Sequence, residues 1–150
     1  MNDWEDVTAF GSPPAEGGAV IRPSAYGLVT DGTAGLAIVR TPLGLFLPGG
    51  GMEPGESPLE TVVREVWEEC GLEAQVGRWV VRAVDFVYSP SERTHFEKQC
   101  TFVDARCSSR RGAGQEPDHE LEWMTPESAI ADLAHPSHRW AVSQWLGWRG

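Results

Sequence analysis

Apolar and polar positions along this chain follow two rhythms, and the change between them outlines the fold. Residues 25–30, 35–40 and 45–47 are rich in β-branched and apolar side chains. Turn signals at Asp31-Gly32 and at Thr41-Pro42-Leu43-Gly44 separate them, which predicts a hairpin and a short third strand. A glycine-rich stretch, Pro48-Gly49-Gly50-Gly51-Met52-Glu53-Pro54-Gly55-Glu56, follows, and the rhythm then becomes helical. Ser57 is a good N-cap, Pro58 suits the first helical position, and Glu60 completes a Ser-x-x-Glu capping box. Gly71 is placed to close the helix in a left-handed cap.

Further β-type runs occupy about residues 76–88 and 96–105, with a short one at 120–124. Thr125-Pro126 opens a helix to about residue 134, and Ser137 can cap another through Leu146. The strands are apolar on both faces, so the economical architecture is α/β, a mixed sheet sandwiched between helices.

The 150 residues suit one domain. Gly11-Ser12-Pro13-Pro14 and Gly17-Gly18 mark residues 1–18 as a flexible or loosely docked entry segment, and residues 19–150 as the domain proper. Hydrophobic residues make up 41% and charged ones 23%, which excludes wholesale disorder. The formal net charge is −10 and Lys98 is the sole lysine, so general affinity for nucleic acid or an anionic membrane is disfavoured. A polyanionic substrate would need a bridging cation. Cys70, Cys100 and Cys107 show neither disulfide nor zinc spacing, the N-terminus is acidic, and no apolar run approaches the roughly 20 residues of a bilayer span. The expectation is a cytoplasmic protein.

At about 100° per residue, Leu59, Val62, Val63, Val66 and Cys70 fall on one stripe of the first helix, which faces the core. Glu65, Glu68 and Glu69 cluster on a separate face, at spacings that bring their carboxylates within mutual reach. Three such charges repel by about a few kcal/mol per pair at an effective dielectric of roughly 20. Arg64 can pair with Glu68 but cannot neutralise three acids. A hard divalent cation can, and magnesium keeps positions open for water or substrate phosphate. The competing interpretation, a solvated acidic face, is the commoner fate of a Glu-rich helix. Here the adjacent glycines, which allow close backbone approach and can turn a carbonyl toward a cation, shift the balance.

From Gly50 to Leu72 the sequence GGMEPGESPLETVVREVWEECGL resembles the Nudix box, G-x5-E-x7-R-E-U-x-E-E-x-G-U with U aliphatic. The matching residues are Gly50, Glu56, Arg64, Glu65, Val66, Glu68, Glu69, Gly71 and Leu72. Chance produces such a match on the order of once in 10¹⁰ starting points. The resemblance to the MutT-like Nudix hydrolases implies a Nudix-type α/β/α sandwich and a Mg²⁺-dependent nucleotide pyrophosphohydrolase, with Mn²⁺ as an alternative ion. It implies Glu65, Glu68 and Glu69 as metal ligands and the Gly49 carbonyl as a further one. Arg64 would orient the glutamates, and Glu56 would brace loop and helix. The general base would be Glu65, Glu69, or a later acid among Glu116 and Glu120, which are also candidate ligands.

The substrate expected is a small nucleotide such as a nucleoside triphosphate; ADP-ribose and dinucleoside polyphosphates are alternatives, as is a catalytically silent nucleotide-binding module. An RNA 5′ end is disfavoured by charge unless Arg106, Arg110 and Arg111 form a basic patch. A homodimer is left open. Tyr26, Trp79, Phe86, Tyr88, Phe96 and Phe102 could stack on a base, and Arg82, Arg93 and Arg106 could meet phosphate, each against the commoner fate of core packing or plain surface. Among His95, His119, His135 and His138, only 135 and 138 approach metal-ligand spacing, so histidine catalysis is set aside.

Overall fold

Alternation along residues 20–30 decides the architecture. Ala25 and Val29 enter one buried cluster while Tyr26 and Leu28 enter another, so this strand must be covered on both faces. The computed structural model describes residues 4–110 and 116–149. Its strands are β1 (Thr8–Phe10), β2 (Val20–Thr30), β3 (Leu36–Thr41), β4 (Gly44–Phe46), β5 (Gly49–Gly51), β6 (Leu72–Ser89), β7 (Thr94–Arg110) and β8 (Glu120–Met124). Its helices are α1 (Pro58–Cys70), α2 (Pro126–Asp132) and α3 (Pro136–Arg149).

The described strands form a sheet of order β1-β6-β7-β2-β3-β4, with β5 on β2 and β8 on β3. It is mixed: β1 with β6 and β2 with β7 run parallel, the other pairs antiparallel. On one face α1 buries Val62, Val66 and Cys70 against Ala25, Val29, Val39 and Val103. On the other, α2 and α3 bury Ala129, Leu133, Ala141 and Trp145 against Tyr26, Leu28, Ile38 and Phe102. The expected α/β/α sandwich is therefore the fold. No helix among the described residues is long and apolar enough to cross a membrane, and all three cysteines are buried thiols outside any disulfide.

Three features differ from the sequence expectation. The segment read as flexible contains β1, held by parallel pairing to β6 and by Phe10 against the Trp140 ring at 5.7 Å. The expected β2–β3 hairpin pairs only at Thr30 and Leu36, because β2 runs on beside β7 while β3 turns to β4 and β8. The glycine-rich stretch is not all loop: Gly49–Gly51 forms β5 on residues 24–26 of β2.

Candidate metal centre and adjoining cavity

Local chemistry at each end fixes where α1 lies. Ser57 accepts from the Glu60 N–H while Glu60 accepts from the Ser57 N–H, closing the capping box. Gly71 ends the helix with φ 67°, and its N–H bonds to the Trp67 carbonyl. Before the helix, Gly49 adopts φ 155°, and a Cβ there would strike the Ala25 carbonyl and the Tyr26 ring. At Gly50 a Cβ would meet the Glu65 carboxylate. Gly49 thus lets β5 lie close on β2, and Gly50 lets it lie close on α1.

Arg64 ties the loop to the helix. Its guanidinium grips Glu56 through Nε at 2.7 Å and Nη2 at 3.0 Å, and reaches Glu65 at 2.7 Å, Glu68 at 3.2 Å and the Gly51 carbonyl at 3.1 Å. Glu56 also accepts from the Thr61 hydroxyl and the Glu53 N–H. These contacts, the Arg64 bond first, hold the Glu56 carboxyl down at about 2, and Glu56 in turn raises the guanidinium.

The far end of the acidic face behaves in the opposite way. Glu69 is 7% exposed, and burial, aided by Glu65, Glu116 and Glu68, pushes its carboxyl up to about 9 against the lowering effect of the Gly49 N–H at 2.7 Å. Burial also raises Glu65, with Glu68 adding to the effect and Arg64 opposing it. The Gly49 backbone meets the acid cluster through its N–H, which donates to Glu69 Oε1.

Of the two later acids, the structure brings in Glu116. Its N–H bonds to the Glu68 carbonyl at 3.3 Å, and its carboxylate lies within 4.8 Å of ligand atoms of Glu65 and Glu68 in one group, and of Glu69 and His119 in another. Glu120 stands exposed at the start of β8, paired with Arg40, and belongs to neither group. His119 was set aside on spacing, yet its Nε2 lies 3.3 Å from Glu69 Oε2. Its Nδ1 lies 3.1 Å from Glu116 Oε2 without the alignment of a hydrogen bond. The Glu-x-x-His spacing of residues 116 and 119 was the signal available.

A cavity of about 530 Å³ opens beside Glu69, Gly49, Gly50 and His119. Its walls include Tyr26, Phe46, Leu47 and His135, and it also reaches Lys98 and Asp118. Tyr26 is the one aromatic of those expected to stack that lines it; Phe102 is buried in the core, and Arg82 lies over the Trp4 and Trp79 rings elsewhere. Arg93 sits at positive φ in the β6–β7 turn, Arg106 is exposed on β7, and Arg111 lies outside the described residues. Behind the wall, His138 is fully buried against Tyr26, Phe46 and His135, and its Nδ1 accepts from the Leu47 N–H. Burial lowers both His135 and His138, which keeps this wall uncharged at neutral pH.

Comparison with known proteins agrees with this geometry. The model of the NUDIX domain matches residues 20–146. An RNA pyrophosphohydrolase of Cereibacter sphaeroides is 44% identical over 41 residues, 27% of this chain and 25% of that protein. The human diphosphoinositol polyphosphate phosphohydrolase 3-alpha is 41% identical over 56 residues, 37% of this chain and 34% of that protein. The matches thus span about a quarter to a third of these relatives. A NUDIX hydrolase from Nitrosomonas europaea shares the fold, with TM-score 0.68 and 17% identity over 84% of this chain and 88% of that one.

Proposed function

The chain belongs to the NUDIX family, and from that premise we propose that it hydrolyses a phosphoanhydride bond in a small nucleotide with a divalent cation, Mg²⁺ or Mn²⁺. The observation that carries this reading is that Glu65 and Glu68 on one side, and Glu69 and His119 on the other, bring ligand atoms within 4.8 Å of the Glu116 carboxylate, with Glu69 lining the cavity. The four acids offer carboxylate oxygens, which fit a hard cation, beside the His119 nitrogen, and Glu65 and Glu69 are raised chiefly by burial, with neighbouring acids adding and Arg64 opposing at Glu65. These four residues would hold the ion. When bound, it supplies positive charge to the diphosphate and lowers the pKa of the attacking water.

The chain's own groups do the rest. Arg64 fixes the rotamers of Glu65 and Glu68 through its contacts to both and to Glu56. Glu69 is oriented by the Gly49 N–H, so its two oxygens are distinguished: Oε1 is engaged by the backbone and Oε2 faces His119. The proton of the water passes to a carboxylate of the group, Glu69 or Glu116, and His119 Nε2 is close enough to Glu69 Oε2 to receive it in turn. Tyr26, Phe46 and His135 provide flat walls for the part of the substrate beyond the phosphates. The buried thiols, outside any disulfide, suit a reducing, cytoplasmic setting.

The test is a panel of nucleoside triphosphates, ADP-ribose, dinucleoside polyphosphates and a 5′-triphosphorylated RNA, assayed with magnesium or manganese and in chelator. We expect metal-dependent release of monophosphate and pyrophosphate from a triphosphate, with label from ¹⁸O water entering a phosphate product. Turnover unaffected by chelator, or a phosphorylated or nucleotidylated protein intermediate, would overturn it.

A further inference from the structure

Even-numbered residues of β7 face the α2–α3 side of the sheet, where Phe96, Cys100 and Phe102 are buried. Lys98, the sole lysine of the chain, occupies the same register and is half-buried. It lines the cavity and is the only lysine or arginine to do so. Among the described residues it makes no ion pair. Asp85, its cross-strand neighbour on β6, accepts the Ser137 hydroxyl on Oδ2 at 2.5 Å and forms no ion pair with Lys98. A half-buried ammonium whose hydrogens meet no acceptor costs free energy, and a ligand in the cavity can supply one.

The surroundings define that acceptor. The Tyr26, Phe46 and His135 rings make the cavity suited to a flat heterocycle, with Phe46 and His135 at 5.0 Å between centroids. A lysine has three donors and no acceptor. One cation in a chain of net charge −10 cannot hold a distal group bearing several phosphates, whereas it can complete a charge-assisted hydrogen bond to a carbonyl. An exocyclic amino group in the same place would set donor against donor and leave both unsatisfied.

We infer that the cavity selects nucleotides whose base presents a carbonyl oxygen, rather than an amino group, to Lys98. This rests on reading the site as a nucleotide pyrophosphohydrolase. The opposing feature is Asp118, an acceptor that also lines the cavity, beside His119 in the chain.

Matched triphosphates isolate the exocyclic group: inosine against adenosine, and uridine against cytidine. With magnesium, kcat/KM should favour inosine and uridine by at least about tenfold, the effect of one such hydrogen bond. In Lys98→Met both ratios should fall to near one, and Lys98→Arg should restore part of the preference. A metal-free readout runs alongside: in chelator, inosine monophosphate should raise the melting temperature more than adenosine monophosphate, and Lys98→Met should erase that difference. Equal kcat/KM values in the parent, ratios that survive in Lys98→Met, or an amino preference lost in Asp118→Asn would each overturn the inference while leaving the hydrolase standing. No metal-dependent hydrolysis of any of the four would overturn this inference, and the functional reading falls with it when ADP-ribose and the dinucleoside polyphosphates also go uncleaved.

Discussion

The two ends of the acidic face treat a carboxylate in opposite ways. Glu56 meets a bidentate guanidinium, a hydroxyl and a backbone N–H, and its carboxyl is held at about 2. Glu69 meets one backbone N–H and three other acids in a buried setting, and its carboxyl is raised to about 9. Glu56 is thereby a completed structural contact, and Glu69 an acid whose ionised form this fold disfavours until something positive meets it. On the proposed function, the contrast sets a brace, Glu56, against a candidate ligand, Glu69.

The largest effect expected is on turnover at the Glu69 end. Glu69→Gln keeps the shape and the Gly49 contact but removes charge, so kcat should fall by about 10²- to 10³-fold, the range for loss of one preorganised electrostatic group. Folding should survive, because Gln has the shape of the protonated carboxyl that burial favours at this position. A divalent ion should raise the melting temperature of the parent and barely that of Glu69→Gln. Near-parental turnover, or equal metal shifts in both, would erase the distinction between the two ends.

Next is stability at the Glu56 end. Glu56→Gln breaks the paired contact with Arg64, and the cost should be about 1–3 kcal/mol, read as a midpoint shift in denaturant unfolding. Turnover should fall less than in Glu69→Gln, since Glu56 acts on the ligands only through Arg64. A variant as stable as the parent would show that the brace holds nothing.

Much of this contrast was legible beforehand, because it is local. Glu56, Arg64, Glu65, Glu68 and Glu69 lie within fourteen residues, and helical geometry alone gathers four of them. Even the burial of Glu69 can be drawn on the helical wheel, where it falls about 20° from Val62 at the edge of the apolar stripe. The cavity was not legible, since Tyr26, Phe46, Lys98, His119 and His135 come from five separate segments joined by sheet order and by the loop docked on Glu68. The parallel pairing of β2 with β7, which sets Tyr26 beside Phe102 and Arg22 beside Lys98, leaves no periodic trace in either strand. Single residues did carry signals: Tyr26 stood among the stacking candidates, the Glu-x-x-His spacing pointed at His119, and Lys98 is a lysine in the apolar register of a strand.

A smaller effect appears in pH dependence without metal. The folded carboxyl of Glu69 lies near 9, above its ordinary value of 4.5, so between these limits the native state binds more protons than the unfolded one. Stability in chelator should therefore fall as pH rises from about 5 to 9. Glu56 has the reverse sign: its folded value near 2 means that its stabilisation is lost as pH falls from 4.5 through 2. Saturating magnesium, or Glu69→Gln, should flatten the alkaline slope and leave the acid limb in place. An alkaline slope unchanged in Glu69→Gln would assign it to other groups.

The smallest effect tests whether the brace can be weakened without touching the ligands. Ser57 caps α1 just after Glu56, and its side chain contacts only the Glu60 N–H, away from Arg64 and the acids. Ser57→Ala should cost about 1 kcal/mol, the usual value of an N-cap, which for a domain of this size corresponds to about 2–4 °C in melting temperature. The first turn would fray, but Arg64 still holds Glu56, Glu65 and Glu68 from the turn above. Turnover measured well below the melting temperature should then stay within about twofold of the parent, since no transition-state contact is lost. A loss of turnover out of proportion to that small loss of stability would mean that the helix start and the acid cluster move as one unit, and the separation of brace from ligand would have to be drawn elsewhere along α1.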